Sequence, residues 1–202
     1  MMTEELKILI YKVLALTGKP EYLLDLAKEY REQETTISCE KAVEIYRFLV
    51  GLNNASAMNS LGYMHLDEKY FPYNPKTAFF WFSRAAMLGD DTALSNVGVM
   101  YYEGRLGKVN KKKAEECYKK AAGSSNLAAM FNLGVICLDN KNYECAYYWF
   151  LKATELGDYN SYLNLVYMKT HNLIDIPKTR LQELVDNIEQ INEESKTLSR
   201  KI

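Results

Sequence analysis

AMFNLG, residues 129–134, is the stretch that decides the fold, because its pattern occurs twice more, earlier in the chain. An alanine, three variable residues, an aliphatic residue and a glycine also begin at Ala57 and at Ala93, so the copies are 36 residues apart. A second pattern of an alanine, a central aromatic residue and a pair of small residues follows each copy, at 78–86, 114–122 and 146–154. Repeats of about 20–50 residues are typical of stacked arrays that share one continuous core.

Each copy has the spacing of two helices. Ala57, Leu61 and Met64 share one face of a first helix, and Ala78 and Phe82 share one face of a second. A glycine inside a helix costs about 0.5–1 kcal/mol relative to alanine. Because a glycine follows the aliphatic residue in all three copies, we predict that the partner helix approaches closely at that point.

The repeat predicts an all-α protein: a right-handed α-solenoid of stacked antiparallel helix pairs, with roughly eleven helices in one domain, 1–202. Complete pairs are expected at 55–90 and 91–126, and a shorter one at 127–158. A degenerate repeat at 20–54 and a partial one at 159–170 flank them. Because each end unit of an array exposes one face to solvent, we predict that helices at 3–16 and 177–199 are the caps.

Composition excludes several classes of protein. The chain of 202 residues has a net charge of −1, with 48% hydrophobic and 25% charged residues, which is ordinary for a folded protein. This charge does not favour nucleic-acid or anionic-membrane binding. Glu4 and Glu5 lie where an export signal needs basic residues, and no apolar run approaches the roughly 20 residues of a membrane helix. We therefore expect a soluble, cytoplasmic protein.

Motifs for catalysis and metal binding are lacking. The sequence has no Gly-rich phosphate loop, no G-x-S-x-G, no H-E-x-x-H and no C-x-x-C pair, and it contains two histidines. His171 lies alone between the last pair and the cap. The chain is predicted not to be an enzyme, and to have no catalytic residue, metal site or cofactor. We expect the four cysteines to be small, buried apolar side chains; they are Cys39, Cys117, Cys137 and Cys145.

Residues 113–122, with Lys113-Ala114, Tyr118 and Ala121-Ala122, and residues 75–86, with Trp81-Phe82, resemble the second half of the Sel-one-like repeat. This family, related to the tetratricopeptide repeats, has the pattern A-x3-L-G-x2-Y followed by K-A-x2-W-[YF]-x-K-A-A. The resemblance covers residues 55–168 well and 20–54 weakly. It implies an α-solenoid that binds proteins as an adaptor or scaffold, and many members are bacterial.

The departures from the family pattern concern histidine and cysteine. Tyr101 matches the tyrosine of the first helix, whereas His65 and Cys137 replace it in the other copies, which indicates structural roles for both. Secreted members join adjacent units with disulfides. The equivalent positions here hold Ala86, Leu94, Ala122 and Met130. Cys137 and Cys145 have the same separation but fall within one unit, so the resemblance implies a cytosolic member without these links.

A partner-binding surface follows from analogy with tetratricopeptide arrays, in which the first helices line the concave groove. The predicted contact residues are Asn59, Ser60, Tyr63, Ser95, Asn96, Tyr102, Phe131, Asn132, Asn164 and Tyr167. Asparagine recurs at 96, 132 and 164, and such a ladder could hold the amides of an extended peptide. Alternatively, these asparagines are solvated or bond their own helix. None of the ten is basic, which argues against a clamp for a C-terminal carboxylate.

The partner class therefore has one leading prediction and two alternatives. The leading prediction is a protein or peptide, bound by an adaptor or scaffold. The first alternative is a cytosolic inhibitor or immunity protein that sequesters one cognate protein, such as a toxin. The second alternative, nucleic-acid binding, depends on a lysine cluster. The other interpretations of this cluster are a solvated convex face and a patch for an acidic partner. Its members are Lys108, Lys111, Lys112, Lys113, Lys119 and Lys120.

Overall fold

The computed structural model describes residues 3–33 and 35–199, and over these residues the chain forms eleven α-helices and no strand. The prediction of an all-α chain is thus confirmed. The helices are α1 Glu4–Leu16, α2 Glu21–Glu32, α3 Thr36–Gly51, α4 Ala55–Met64, α5 Pro75–Met87, α6 Asp91–Tyr102, α7 Lys111–Gly123, α8 Leu127–Asp139, α9 Tyr143–Glu155, α10 Tyr159–Thr170 and α11 Lys178–Ser199. Residues 1, 2, 34 and 200–202 of the predicted domain lie outside the described residues.

Side-chain caps explain where most helices begin. Asn54, at the start of α4, accepts a hydrogen bond from the backbone N–H of Ala57 at 2.9 Å, which satisfies one of the unpaired donors of the first turn. At α5 to α10 the residue before the helix likewise accepts a hydrogen bond from the backbone N–H of the third helical residue. The capping residues there are Asn74, Asp90, Asn110, Asn126, Asn142 and Asp158.

The chain divides into two compact units, residues 1–109 and 110–202. Unit 1 contains α1 to α6, and each helix from α1 to α5 packs against the next one in sequence. Its core includes Leu23, Ile45, Tyr46, Leu49 and Leu61, all buried. The division falls between α6 and α7, which are the two helices of the predicted repeat 91–126.

The predicted close approach at a helix glycine is present in unit 1. A Cβ atom built on Gly62 of α4 would lie 2.5 Å from Cε1 of Phe82 on α5 and 2.6 Å from its Cδ1. Real Cβ atoms do not come that close to another carbon, so only glycine lets the Phe82 ring lie flush against the α4 backbone.

Unit 2 repeats this arrangement. A Cβ atom on Gly134 of α8 would lie 2.5 Å from Cε1 of Phe150 on α9. Phe150 is buried together with Leu165, Met168 and Leu184, which belong to α10 and α11. The glycine in AMFNLG therefore has the structural role that the sequence predicted for it.

Two of the four cysteines differ from the prediction. Cys137 near the end of α8 and Cys145 on the first turn of α9 form a disulfide, with their Cα atoms 5.7 Å apart. The expectation that all four are unpaired apolar side chains is wrong for this pair. The reason is the shortened loop at 140–142, which brings the end of one helix next to the start of the other. Cys39 is free and buried, and Cys117 is free and half-buried.

Candidate protein-binding surface

In unit 1, three of the predicted contact residues form one hydrogen-bonded chain. The hydroxyl of Tyr63 donates to Oδ1 of Asn96 at 2.7 Å, and Nδ2 of Asn96 donates to Oδ1 of Asn59 at 2.8 Å. Asn59 and Tyr63 belong to α4, whereas Asn96 belongs to α6. The bonds thus join the first helices of two successive repeats.

This chain of bonds fixes an exposed aromatic ring. Tyr63 is 44% exposed, and its ring packs edge-on against Phe82 with the centroids 5.2 Å apart. Both the oxygen and the nitrogen of the Asn96 amide already have partners inside the protein. Asn96 therefore orients Tyr63 and Asn59, and its own capacity to bond a peptide is smaller than the predicted ladder assumed.

A cavity of about 810 Å³ opens beside Tyr63 and Asn96. Its apolar wall includes Met64, Phe82 and Met100. Charged side chains also line it, and their signs are mixed. These are Arg31, Glu32, Asp67, Glu68 and Arg105.

The sequence reasoning missed the charged part of this cavity. It considered inward helix positions alone, whereas Asp67 and Glu68 follow α4 and Arg105 follows α6 in loops that differ between repeats. Arg105 forms an ion pair with Glu103. Burial raises the pKa of Tyr70, another lining residue, to about 12, so its hydroxyl remains protonated at neutral pH.

The other predicted residues of unit 1 contribute less. Ser95 is 2% exposed and cannot contact a partner, so its assignment to the surface is wrong. Its side chain is too short to extend beyond the packed helices, whereas the longer Asn59 side chain at the equivalent position reaches Asn96. Ser60 donates to the carbonyl of Ser56 in its own helix at 3.0 Å. Tyr102 is half-buried at the end of α6.

In unit 2, the predicted residues are divided between α8 and α10. Phe131 and Asn132 are half-buried, and the Phe131 ring lies 5.9 Å from that of Phe150. Nδ2 of Asn164 donates to the carbonyl of Asn160 at 2.9 Å, which is the alternative in which the asparagine bonds its own helix. Tyr167 is exposed, and its ring lies 4.1 Å from that of His171.

The surroundings of His65 fit the structural role that the resemblance to the repeat family implied. Its ring stacks on Phe71 with the centroids 4.3 Å apart, and its buried Nδ1 has no hydrogen-bond partner among the described residues. Burial, followed by the positive charge of Arg47, lowers the pKa of His65 below its usual 6.5. The imidazole is therefore neutral at pH 7, and it packs against the loop that follows α4.

Acidic residues neutralise part of the lysine cluster. Lys111 contacts Asp139 at 3.1 Å, and Lys119 contacts Glu115 one turn away at 2.6 Å. The described residues contain no group of three or more His, Cys, Asp or Glu side chains that could hold a metal ion. None of the described helices combines the length and apolar character needed to cross a bilayer.

Solved structures of other repeat proteins are similar in fold to this chain. A protective antigen of uropathogenic Escherichia coli, described as having an SLR fold, is similar with a TM-score of 0.73 at 24% identity; the match covers 91% of this chain and 40% of the antigen. A Sel1 repeat protein of Oxalobacter formigenes has a TM-score of 0.67 at 22% identity, over 81% of this chain and 69% of that one. The chain thus spans less than half of the antigen's length. No curated protein matches the chain in sequence.

An immunity protein of Pseudomonas aeruginosa shares the fold as well, with a TM-score of 0.67 at 20% identity, over 92% of this chain and 73% of that one. The predicted α-solenoid class is confirmed by these likenesses, which at such identities concern the fold alone. The Sel1 repeat family profile matches residues 55–90, 92–126 and 127–158, just over half of the sequence. The resemblance inferred from the residues is therefore confirmed, and the chain belongs to the Sel1 repeat family.

Proposed function

We propose that the chain is a non-catalytic interaction module, an adaptor or scaffold that binds a protein or peptide through the first helices of its repeats. Sel1 repeats typically mediate protein–protein interactions. The observation that carries the proposal is the Tyr63–Asn96–Asn59 chain of hydrogen bonds next to the cavity in unit 1. We call these three residues and that cavity the unit 1 surface.

The chemistry of the unit 1 surface suits a polypeptide. A fixed tyrosine offers a large contact area at little entropic cost, and the two asparagine amides have more donor and acceptor sites than their internal bonds occupy. A volume of about 810 Å³ is within the usual range for sites that enclose a side chain or a small ligand. Guanidinium and carboxylate groups both line it, and this mixture favours a partner that carries both charges over a polyanion such as nucleic acid.

Unit 2 supplies a second set of proposed contact residues, Phe131, Asn132, Asn164 and Tyr167. Because Asn164 already donates to its own helix, Tyr167 is the proposed principal contact on α10. Its ring is exposed and is supported by His171. No catalytic residue, cofactor or metal is part of this proposal.

Affinity capture with quantitative mass spectrometry tests the proposal. Immobilised wild-type protein is compared with Tyr63→Arg, which places a long cation at the rim of the cavity and removes the bond to Asn96. The matched control is Tyr148→Arg on α9, since Tyr148 is 54% exposed and lies outside both sets of contact residues. We expect Tyr63→Arg to lose partners that the control retains. Identical capture by Tyr63→Arg and the wild type would remove the unit 1 surface from the proposal.

The same experiment separates an adaptor from an inhibitor. Several partners that share an extended motif indicate an adaptor or scaffold, whereas one partner held at equal stoichiometry indicates an inhibitor such as an immunity protein. The fold of the Pseudomonas aeruginosa immunity protein motivates this second candidate. A cytoplasmic location remains part of the proposal, and in that compartment Cys137 and Cys145 would be kept reduced. Alkylation of the two thiols in freshly lysed source cells distinguishes this from an oxidising compartment.

A further inference from the structure

The N-terminal helix α1 is apolar on both of its long faces. Its inner face, with Ile8, Tyr11 and Ala15, packs on the core of unit 1. Its outer face exposes five large aliphatic side chains, each between 39% and 65% exposed. They are Leu6, Leu9, Ile10, Val13 and Leu16. A cap needs a polar outer face, so this surface requires another explanation.

Polar contacts hold α1 in place and determine which face points outward. Lys12 contacts Glu44 of α3 at 2.7 Å, and Lys7 contacts Glu29 of α2 at 3.6 Å. The hydroxyl of Tyr30 also donates to the carboxylate of Glu4 at 2.6 Å. Three bonds to α2 and α3 therefore anchor the helix along its length, and the exposed aliphatic row belongs to a firmly positioned element.

The spacing of the outer face is that of a coiled-coil seam. Leu6, Leu9, Val13 and Leu16 are separated by three, four and three residues, which are the a and d positions of two successive heptads. The row contains no glycine or alanine, so it cannot form the close contact that Gly62 makes with Phe82. Aliphatic a and d residues instead fit between those of another helix with the same pattern.

The charges of α1 favour an antiparallel mate with the same sequence. Glu5 is exposed at the start of the helix, and Lys19 is exposed just beyond its end. An antiparallel mate brings these opposite charges together and opposes the two helix dipoles, whereas a parallel mate places Glu5 next to Glu5. A membrane surface fits less well, because Lys7 and Lys12 are engaged by Glu29 and Glu44 and leave no basic polar face.

We propose that the outer face of α1 is a homodimer interface, in which it pairs antiparallel with α1 of a second copy. In such a pair each a residue meets a d residue, so that Leu6 packs against Leu16 of the second copy and Leu9 against Val13 of the second copy. Ile10 of the two copies then lies next to the two-fold axis. The interface is isologous, and it leaves the unit 1 surface unused. A seam of two heptads is short, so the dimer is a weak one.

Sedimentation velocity of the full chain tests the proposal. Between roughly 1 and 200 μM, a range that brackets weak interfaces, the mass should rise from that of the 23.3 kDa monomer toward twice that value. Leu9→Glu with Val13→Glu should weaken the dimer by roughly tenfold or more, because it places charges in the seam. The control Ile37→Glu, at a residue 67% exposed on α3 and outside the seam, should associate like the wild type. A wild type that stays monomeric, or a seam variant that still dimerises normally, overturns the proposal.

Cysteine cross-linking tests the orientation without charging the seam, in a Cys117→Ser background. Under mild oxidation Ile10→Cys should form a covalent dimer, whereas Leu16→Cys should not, because the antiparallel arrangement separates the two copies of residue 16. Cross-linking through residue 16 but not residue 10 would show a parallel pair and refute the arrangement. Co-sedimentation with phosphatidylcholine vesicles tests the alternative that the outer face of α1 binds a membrane. If the wild type is monomeric and binds vesicles, and the seam variant does not bind them, the face belongs to a membrane contact and the dimer proposal is overturned.

Discussion

Gly62→Ala tests the close approach of α4 and α5, because the cost can be estimated from one distance. The added Cβ would lie 2.5 Å from Cε1 of Phe82, whereas carbon atoms attract best at about 3.5–4.0 Å, so the ring must move by about 1 Å. Phe82 is buried, and overpacking of this kind costs about 1–3 kcal/mol. The higher helix propensity of alanine offsets up to about 1 kcal/mol of that cost.

A matched control isolates the steric cost. Gly51 is the last residue of α3, and a Cβ built on it has no atom within 4 Å, so Gly51→Ala should keep or raise stability. The difference in unfolding free energy between the two variants is expected to be about 1–3 kcal/mol. Urea denaturation in a Trp149→Phe background measures it, because Trp81 of α5 then reports on unit 1 alone. If the two variants are equally stable, the helices are further apart than described, and the packing role of the repeated glycine is refuted.

Three further predictions follow from particular contacts. The pKa of His65 is lowered in the folded chain, so as the pH falls the unfolded chain takes up a proton near pH 6.5 before the folded chain does. The stability of unit 1 should therefore fall as the pH decreases below about 6.5. Urea denaturation at several pH values measures this fall, and His65→Phe should flatten it. Cys145→Ser removes the disulfide between two cysteines eight residues apart and should destabilise unit 2 by about 2–3 kcal/mol, as followed by Trp149 fluorescence in a Trp81→Phe background. A reductant should destabilise the parent but not this variant, and the control Cys117→Ser should respond to the reductant like the parent. Tyr63→Phe removes the bond to Asn96 and keeps the ring, so unit 1 is expected to lose about 0.5–1.5 kcal/mol of stability, at the low end because the bond is exposed. Urea denaturation followed by Trp81 fluorescence in the Trp149→Phe background measures this loss, and no loss would show that the bond does not order the surface.

The packing within each unit was predictable because a helix buries its apolar face against helices that are close to it in sequence. The offset of 36 residues located Gly62 and Gly134, and the structure places an aromatic ring against both. The disulfide was missed for a different reason. Sequence reasoning looked for cysteines that link adjacent repeats, whereas Cys137 and Cys145 are brought together by the removal of loop residues within one repeat. Loop length, and not the repeat pattern, determines that distance.

The unit 1 surface was predictable in part. Helix register placed Tyr63, Asn59 and Asn96 on one side of α4 and α6, and their hydrogen bonds fit that placement. Register alone could not show that Ser95 is buried, because equivalent positions share a direction but not a side-chain length. Asp67, Glu68 and Arg105 come from loops without a counterpart in every repeat, so no periodic argument reaches them.

Partner selection should therefore depend on the residues that do not repeat. Gly62 and Phe82 are constrained by packing, and a family can preserve such pairs whatever its members bind. Asp67, Glu68 and Arg105 have no such constraint, since they lie in loops that differ in length between the repeats. This separation has a measurable consequence once a partner is captured. Ile45→Val removes one methyl group from the buried core of unit 1 at a residue that does not line the cavity, so it should lower the free energy of unfolding by about 0.5–1.5 kcal/mol while the folded molecules bind with unchanged affinity. Arg105→Ala should lower the affinity and leave the free energy of unfolding unchanged. If both variants lose stability and affinity in proportion, the cavity is part of the packing and does not select the partner.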